Sequence, residues 1–574
     1  MASPSTTASL LLTFGLVGLS CKHDPEPPVQ GRSSSRASNE TLPPAPLPDV
    51  GARPQGQPED KNSGGSLTLP GLRASRSTCV SPCAVMFSID AVQDSSDDNP
   101  FAHSGVYWDY GDPESDARDG LIERGGQFFQ TKKGAPRSHD TNTPLGMHTY
   151  QCAEGICTFH PGVSIQNAAG DWATAWATVQ VRAQSTAYPM TRTVCVSASG
   201  RWGGEVPCPS DAEQATRLPA LGSWKNDTRY LLRRGEQFDT ERSCIGYGSR
   251  GITLASFGDS SDPKPQLAEL GVGRGRNCTR TVTSDREIDS YAVPFWVEDI
   301  TITDIRVPTV ALGMTFKNIT LHDLDMDYER QPEGGAVYMQ STDRCSKDNS
   351  LSCGRVPLPY GLYISGTTIV GSRTQPPGVN VGLVSAACAS FVGLLDTEIR
   401  VAEEHNVRLE CSSRFLALHS DINGEHIGRR GKKSAITIRP EGTLAQDMLL
   451  GRRKQYSSRD EVFESRYTVF KDLYLGTPRS VNNSARLQIT PTKASDSEVS
   501  RYGVISGNVT DMGEGKPHAD ARLAGAGLVC YDDNTWQSKN GCEDTGQANI
   551  PASVYSPAQT QFPAPDVPQP PASY

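Results

Sequence analysis

Two stretches decide how the chain folds: VEDITITDIRV (Val297–Val307) and FKNITLHDLDM (Phe316–Met326). Laid one on the other, they match at an offset of 19 residues. Each has a β-branched or aromatic run, a polar corner near its middle, and a second short apolar run. The same shape returns in YISGTTIVGS (Tyr363–Ser372), YTVFKDLYLG (Tyr467–Gly476) and YGVISGNVTD (Tyr502–Asp511). FVGLLDTEI (Phe391–Ile399) matches FLALHSDI (Phe415–Ile422) at an offset of 24 at its start. Such a period implies stacked units, because one unit alone has no second layer against which to bury its apolar face. Runs this short, broken by a corner and lacking a 3.6-residue period, predict coiled parallel strands rather than a helical solenoid.

The repeats occupy residues 190–530. They begin with RYLLRRGEQFD (Arg229–Asp239) and RGITLASFGDSSDPKPQL (Arg250–Leu267), an apolar strand, a Gly-Glu pair, then Ile-Thr-Leu and a Pro-containing turn. Further on, EHNVRLECSSRFLALHSDINGEHIGRRGKKSAITIRPEG (Glu404–Gly442) gives two strands, a variable loop and an Ala-Ile-Thr-Ile-Arg strand. On these stretches the segment resembles the right-handed parallel β-helix of the pectate-lyase-like superfamily. The resemblance implies a fold. It does not imply one activity, since that scaffold carries lyases, hydrolases, esterases and proteins without catalysis.

Upstream, residues 77–184 alternate β-prone runs with Asp/Asn/Gly/Pro clusters, as a small sandwich does. The runs are Cys83–Val92, Gly105–Ser115, Met147–Asn167 and Trp172–Ala183. Trp108-Asp109-Tyr110-Gly111-Asp112, His148-Thr149-Tyr150 and Ala169-Gly170-Asp171 resemble the motifs of a PKD-type immunoglobulin-like domain. The fit departs at Tyr110, where Phe is usual, at Pro113, and in the long insertion 116–146. The resemblance implies a spacer or a protein or carbohydrate contact. Trp108 is expected in the core, with a sugar platform as the alternative.

The apolar run before Cys21, LLLTFGLVGLSC (Leu10–Cys21), is too short to span a bilayer and fits a secretory signal over 1–20. The chain holds 15 cysteines; without Cys21, 14 remain. They fall into near neighbours: Cys79/Cys83, Cys152/Cys157, Cys195/Cys208, Cys244/Cys278, Cys345/Cys353, Cys388/Cys411 and Cys530/Cys542. That set predicts disulfides and an oxidising compartment. Cys21 and its setting resemble a bacterial lipoprotein signal, which implies lipidation at Cys21 and an outer-membrane or other envelope location. Leu19 sits one place late for that signal, and residues 1–9 carry no Lys or Arg. A plain secretory signal with a spare thiol is the other reading. Residues 21–76 and the Pro-rich tail 548–574 lack the apolar content to offset ordering entropy and are expected as a disordered tether and tail. The net charge of −10 argues against nucleic acid as a partner. A monomer touching the membrane only through its lipid is the expected state.

Two clusters carry candidate chemistry. Asp323, Asp325 and Asp327 alternate, so a strand would turn them to one face, where oxygen ligands could hold calcium. The other reading is a solvated strand face. The second cluster is mixed: Arg408, Glu410, His419, Asp421, Glu425, His426, Arg429, Arg430, Lys432, Lys433 and Arg439. A base and a cation, His419 and Arg439, suit proton abstraction beside a carboxylate. Paired carboxylates including Asp421 would suit hydrolysis. Arg408, Arg429, Arg430, Lys432 and Lys433 would suit binding of an acidic polysaccharide without cutting it. No Gly-x-Ser-x-Gly elbow, phosphate loop or His-Glu-x-x-His helix occurs. Three functions stay open: a glycan-binding envelope protein, a polysaccharide lyase or hydrolase, and a structural or adhesive surface protein.

Overall fold

The computed structural model describes residues 61–536 apart from internal segments, among them 113–120, 131–138, 274–296, 340–359, 372–382, 427–435, 439–464, 474–486 and 490–499. Cys21, the expected signal and the expected tail therefore lie outside the described residues, as do Cys278, Cys345, Cys353 and Cys542. The described residues belong to one compact unit, residues 54–574. They are almost entirely β. Strands at Lys61–Asn62, Leu67–Thr68 and Arg73–Ala74 already lie inside the stretch read as tether, so ordered chain begins before residue 77.

The N-terminal segment is built mostly from antiparallel pairs. One sheet runs Lys61–Asn62, Trp172–Trp176, Gly162–Gln166, Gly105–Asp109, His139–Thr141. A second joins Leu145–Tyr150, Cys83–Ser88 and Arg73–Ala74. Trp108 is fully buried and donates from Nε1 to Thr143 O at 2.7 Å, so it is core. In the same core the Met147 N–H donates to Tyr110 Oη at 3.1 Å, and Tyr150 Oη donates to Tyr110 O at 3.0 Å. His148 Nε2 lies 2.9 Å from Asp112 Oδ2, which gives the buried ring a polar partner. Disulfides join Cys79–Cys83, Cys152–Cys157 and Cys195–Cys208. Cys244 is also disulfide-bonded.

From Thr193 onward the strands pair in parallel, with single antiparallel bridges at Val206/Gly258 and Gly273/Leu312. One stack runs through Thr228–Arg233, Arg250–Phe257, Val297–Thr303, Phe316–His322, Tyr360–Ser365, Arg414–Leu418, Ser465–Lys471 and Ser500–Ser506. A second runs through Leu270–Val272, Val310–Leu312, Val337–Met339, Val407–Ser412 and Ile436–Ile438. Strand Leu383–Leu395 belongs to both. A third, four-stranded parallel sheet joins Asp325–Tyr328, Thr368–Gly371, Glu398–Ala402 and Asp421–His426. The chain thus revisits the same stacks in turn, an all-β arrangement with a long parallel sheet that is compatible with a parallel β-helix.

The repeats set the register. Val297 pairs with Phe316 and Thr303 with His322, which is the offset of 19 read from the sequence. In the later pair Val392, not Phe391, is the partner of Phe415, so the Phe-to-Phe match is one residue out. Phe391 instead occupies a left-handed position at φ 57°, in line with Asp299, Asn318 and Gly361 on earlier rungs. A second left-handed column turns each rung out of the first stack: Asp304, Asp323, Gly366, Asp396 and His419, at φ between 48° and 58°. Asp and Gly dominate it because they tolerate this region at low cost. The interior is one apolar cluster along the coil, with Ile252, Ile300, Ile319, Leu362 and Val392 stacked in register and fully buried.

Candidate functional site

The four-stranded sheet brings parts of both sequence clusters onto one face. Its inward positions are Met326, Ile369, Ile399 and Ile422, at most 1% exposed. Strand alternation turns their neighbours outward. Asp325, Thr368, Glu398 and Asp421 stand in register as one outward row. Single bridges continue the row to Arg306 and Gln266. Asp327, Val370 and Arg400 form a second row beside it. Neighbouring rungs are about 4.8 Å apart, which puts Asp325 and Asp421 roughly 14 Å apart along the coil.

Cations of the chain engage this face. Lys264 Nζ lies 2.9 Å from Asp323 Oδ1, donates to Asp323 O at 2.6 Å and stands 3.5 Å from Asp325 Oδ2. Arg306 pairs with Asp327, and Arg400 with Glu398. Arg400 Nη2 is also 3.7 Å from Asp421 Oδ2. Arg306, Asp327 and Arg400 are each 48% exposed, so these pairs are solvated and contribute little to stability. They do fix where charge is presented.

Of the three carboxylates read as a calcium set, Asp325 and Asp327 do share a strand face, while Asp323 lies in the corner before it, at φ 51°. Alternation along a strand therefore does not carry Asp323 to that face. Each of the three has a Lys or Arg opposite it. Among the described residues no group of three or more His, Cys, Asp or Glu is placed to hold a metal ion.

His419 is the corner residue of its rung, in the column of Asp323 and Asp396, and is 7% exposed. Asp421 begins the next strand and joins the outward row with Glu398. Arg408 sits on another stack, between Val384 and Thr437, and is not brought to this face. Arg429, Arg430, Lys432, Lys433 and Arg439 lie outside the described residues. Cys388 and Cys411 are backbone partners on adjacent rungs. Sequence reasoning missed Lys264, Arg306, Glu398 and Arg400. Glu398 was findable, since it matches Asp421 once the repeat is shifted by one residue.

Beside the face, His322 is buried where the first stack ends. Its Nδ1 lies 2.9 Å from Ser365 Oγ and its Nε2 3.5 Å from Gln151 Nε2. Burial pulls the imidazole down to about 4, against the opposing pull of Asp323. Together the face offers four carboxylates (Asp325, Asp327, Glu398, Asp421) and three cations (Lys264, Arg306, Arg400), with Asp323 at the corner beside it. Such a row can exchange hydrogen bonds repeatedly with an extended, hydroxyl-bearing chain. No family model, curated protein or solved structure matches this chain.

Proposed function

We propose that this is a secreted, lipid-anchored envelope protein that holds a polysaccharide along the outward face of Asp325, Thr368, Glu398 and Asp421. In this reading the parallel coil is a right-handed β-helix and the N-terminal segment a PKD-type domain. The observation that carries it is the repetition of outward, half-buried polar groups at constant rung spacing. A polymer of regular units meets a polar group at every rung of such a row, so weak contacts add along its length. Carboxylates outnumber cations on the face, which favours hydroxyl or ammonium groups over uronates. The disulfides fit an oxidising compartment. The basic run Arg429, Arg430, Lys432 and Lys433 follows this face in sequence and is a second place for an acidic glycan.

Binding to a panel of neutral, amino-sugar and uronate polysaccharides tests the reading. The triple variant Glu398→Gln, Arg400→Gln, Asp421→Asn is expected to lose at least tenfold in affinity for a neutral or amino-sugar polymer. Assays for new reducing ends and for unsaturated ends, run on the same panel, separate binding from cleavage. A chain that retains none of the polymers would defeat the proposal.

A further inference from the structure

The outward face of the long parallel sheet changes character along the coil. One outward row runs Thr301, Thr320, Tyr363, Gly393, Leu416, Val469. Tyr363, Leu416 and Val469 are fully buried, although they point away from the coil interior. They share an apolar cluster with Met86, Phe87 and Met147 of the N-terminal segment. That segment therefore supplies the layer that this part of the sheet lacks.

The contact is keyed by shape. A β-carbon on Gly393 would stand 2.4 Å from Met147 Sδ and 2.8 Å from Met86 Sδ. Gly393 is thus a notch for the two methionines within a strand that otherwise favours larger residues. Phe391, two residues earlier, is held in the left-handed region, which costs an aromatic residue strain. Arg414 and Arg73 cover its ring at 4.8 Å and 5.5 Å.

Polar groups add direction. Arg76 is buried; its Nε and Nη2 donate to Ala84 O at 2.9 and 2.6 Å, and Nη2 to Thr320 Oγ1 at 2.7 Å. The same guanidinium lies 4.7 Å above the Tyr363 ring. Arg414 Nε donates to Ser88 Oγ at 3.2 Å, and Tyr360 Oη to Ser75 O at 3.1 Å. A buried charge with good hydrogen bonds fixes one arrangement and penalises others.

We infer that the N-terminal β segment, residues 61–183, is a permanently seated outer layer of the coil, keyed into the Gly393 notch, rather than a freely moving spacer. The apolar row would face water if the segment left, and the segment would expose Met86 and Met147. This inference stands apart from the glycan reading, because the four-stranded face is a different surface.

Cleavage of the folded chain tests it. A protease site is inserted after Pro189, which is exposed in the connector. After cutting, the two fragments are expected to co-elute on size exclusion with unchanged circular dichroism. Separation into two folded, monodisperse species would overturn the inference. Gly393→Val, which keeps strand propensity, is expected to raise fragment dissociation at least tenfold, and Arg76→Ala to act in the same direction. Fragments that stay equally tightly bound in both variants would also overturn it, since the seat would then not be the one described.

Discussion

Single residues explain why the coil turns where it does. Asp304, Asp323, Gly366, Asp396 and His419 each leave the first stack in the left-handed region. The backbone N–H groups of the first four reach the next rung: Asp323 N donates to Ser365 O at 3.0 Å, and Gly366 N to Leu395 O at 3.1 Å. A β-branched residue there suffers from Cβ crowding, whereas Gly does not. Asp396→Gly is therefore expected to change stability by less than about 0.5 kcal/mol, and Asp396→Val to cost about 1–2 kcal/mol. Urea unfolding of the two variants measures the difference. The same logic bears on His419. If it is only a corner, His419→Asn keeps both stability and glycan retention. Loss of glycan retention at unchanged stability would return it to the site. The corners were legible as polar or Gly positions inside each repeat. Phe391 was not, because nothing in an isolated Phe shows that it bulges. Its ring is packed by Arg73, Arg414 and Tyr360, which come from elsewhere in the chain.

At the scale of elements, the second corner position builds a ladder of hydroxyls. Thr367, Thr397 and Ser420 are buried on successive rungs. Thr397 Oγ1 donates to Leu395 O at 3.0 Å, and Ser420 Oγ to Leu418 O at 2.8 Å. Ser420 Oγ also accepts the Thr397 N–H at 3.1 Å. Ser420→Ala leaves that buried amide without its acceptor and is expected to destabilise by about 1–3 kcal/mol. Hydrogen exchange at the Thr397 amide should quicken; an unchanged rate and stability would refute the ladder. The parallel stacking itself was visible in sequence, because repeats of this length leave no other way to bury the apolar runs. The outward face was only half visible. Asp325, Asp327 and Asp421 were picked out, but their cations come from Lys264, Arg306 and Arg400, on other rungs or other turns of the chain. Spacing along one strand cannot show partners that the coil brings in from the side.

Over the whole molecule, the seam between the N-terminal layer and the coil holds His322, and this makes stability depend on pH. Burial holds the imidazole near 4, below its ordinary 6.5, so the folded chain binds this proton more weakly than the unfolded chain. As pH falls, the unfolded chain protonates first and gains relative to the folded one. The contribution is complete above about 6.5, declines as pH falls toward about 4, and is constant below that. A gap this wide corresponds to at most about 3 kcal/mol. The groups around the ring do not rescue the cation. Asp323 is engaged by Lys264 and Asp304 by Arg234, while Gln151 Oε1 already accepts from Ser81 Oγ at 3.1 Å. His322→Gln keeps a polar side chain opposite Ser365 without a titrating group. Denaturant unfolding from pH 7 to pH 4 should therefore give the variant a shallower loss of stability than the parent chain, with the difference between the two confined to that window. Parallel curves would mean that the imidazole titrates as it does in water, and that the seam is wet at His322.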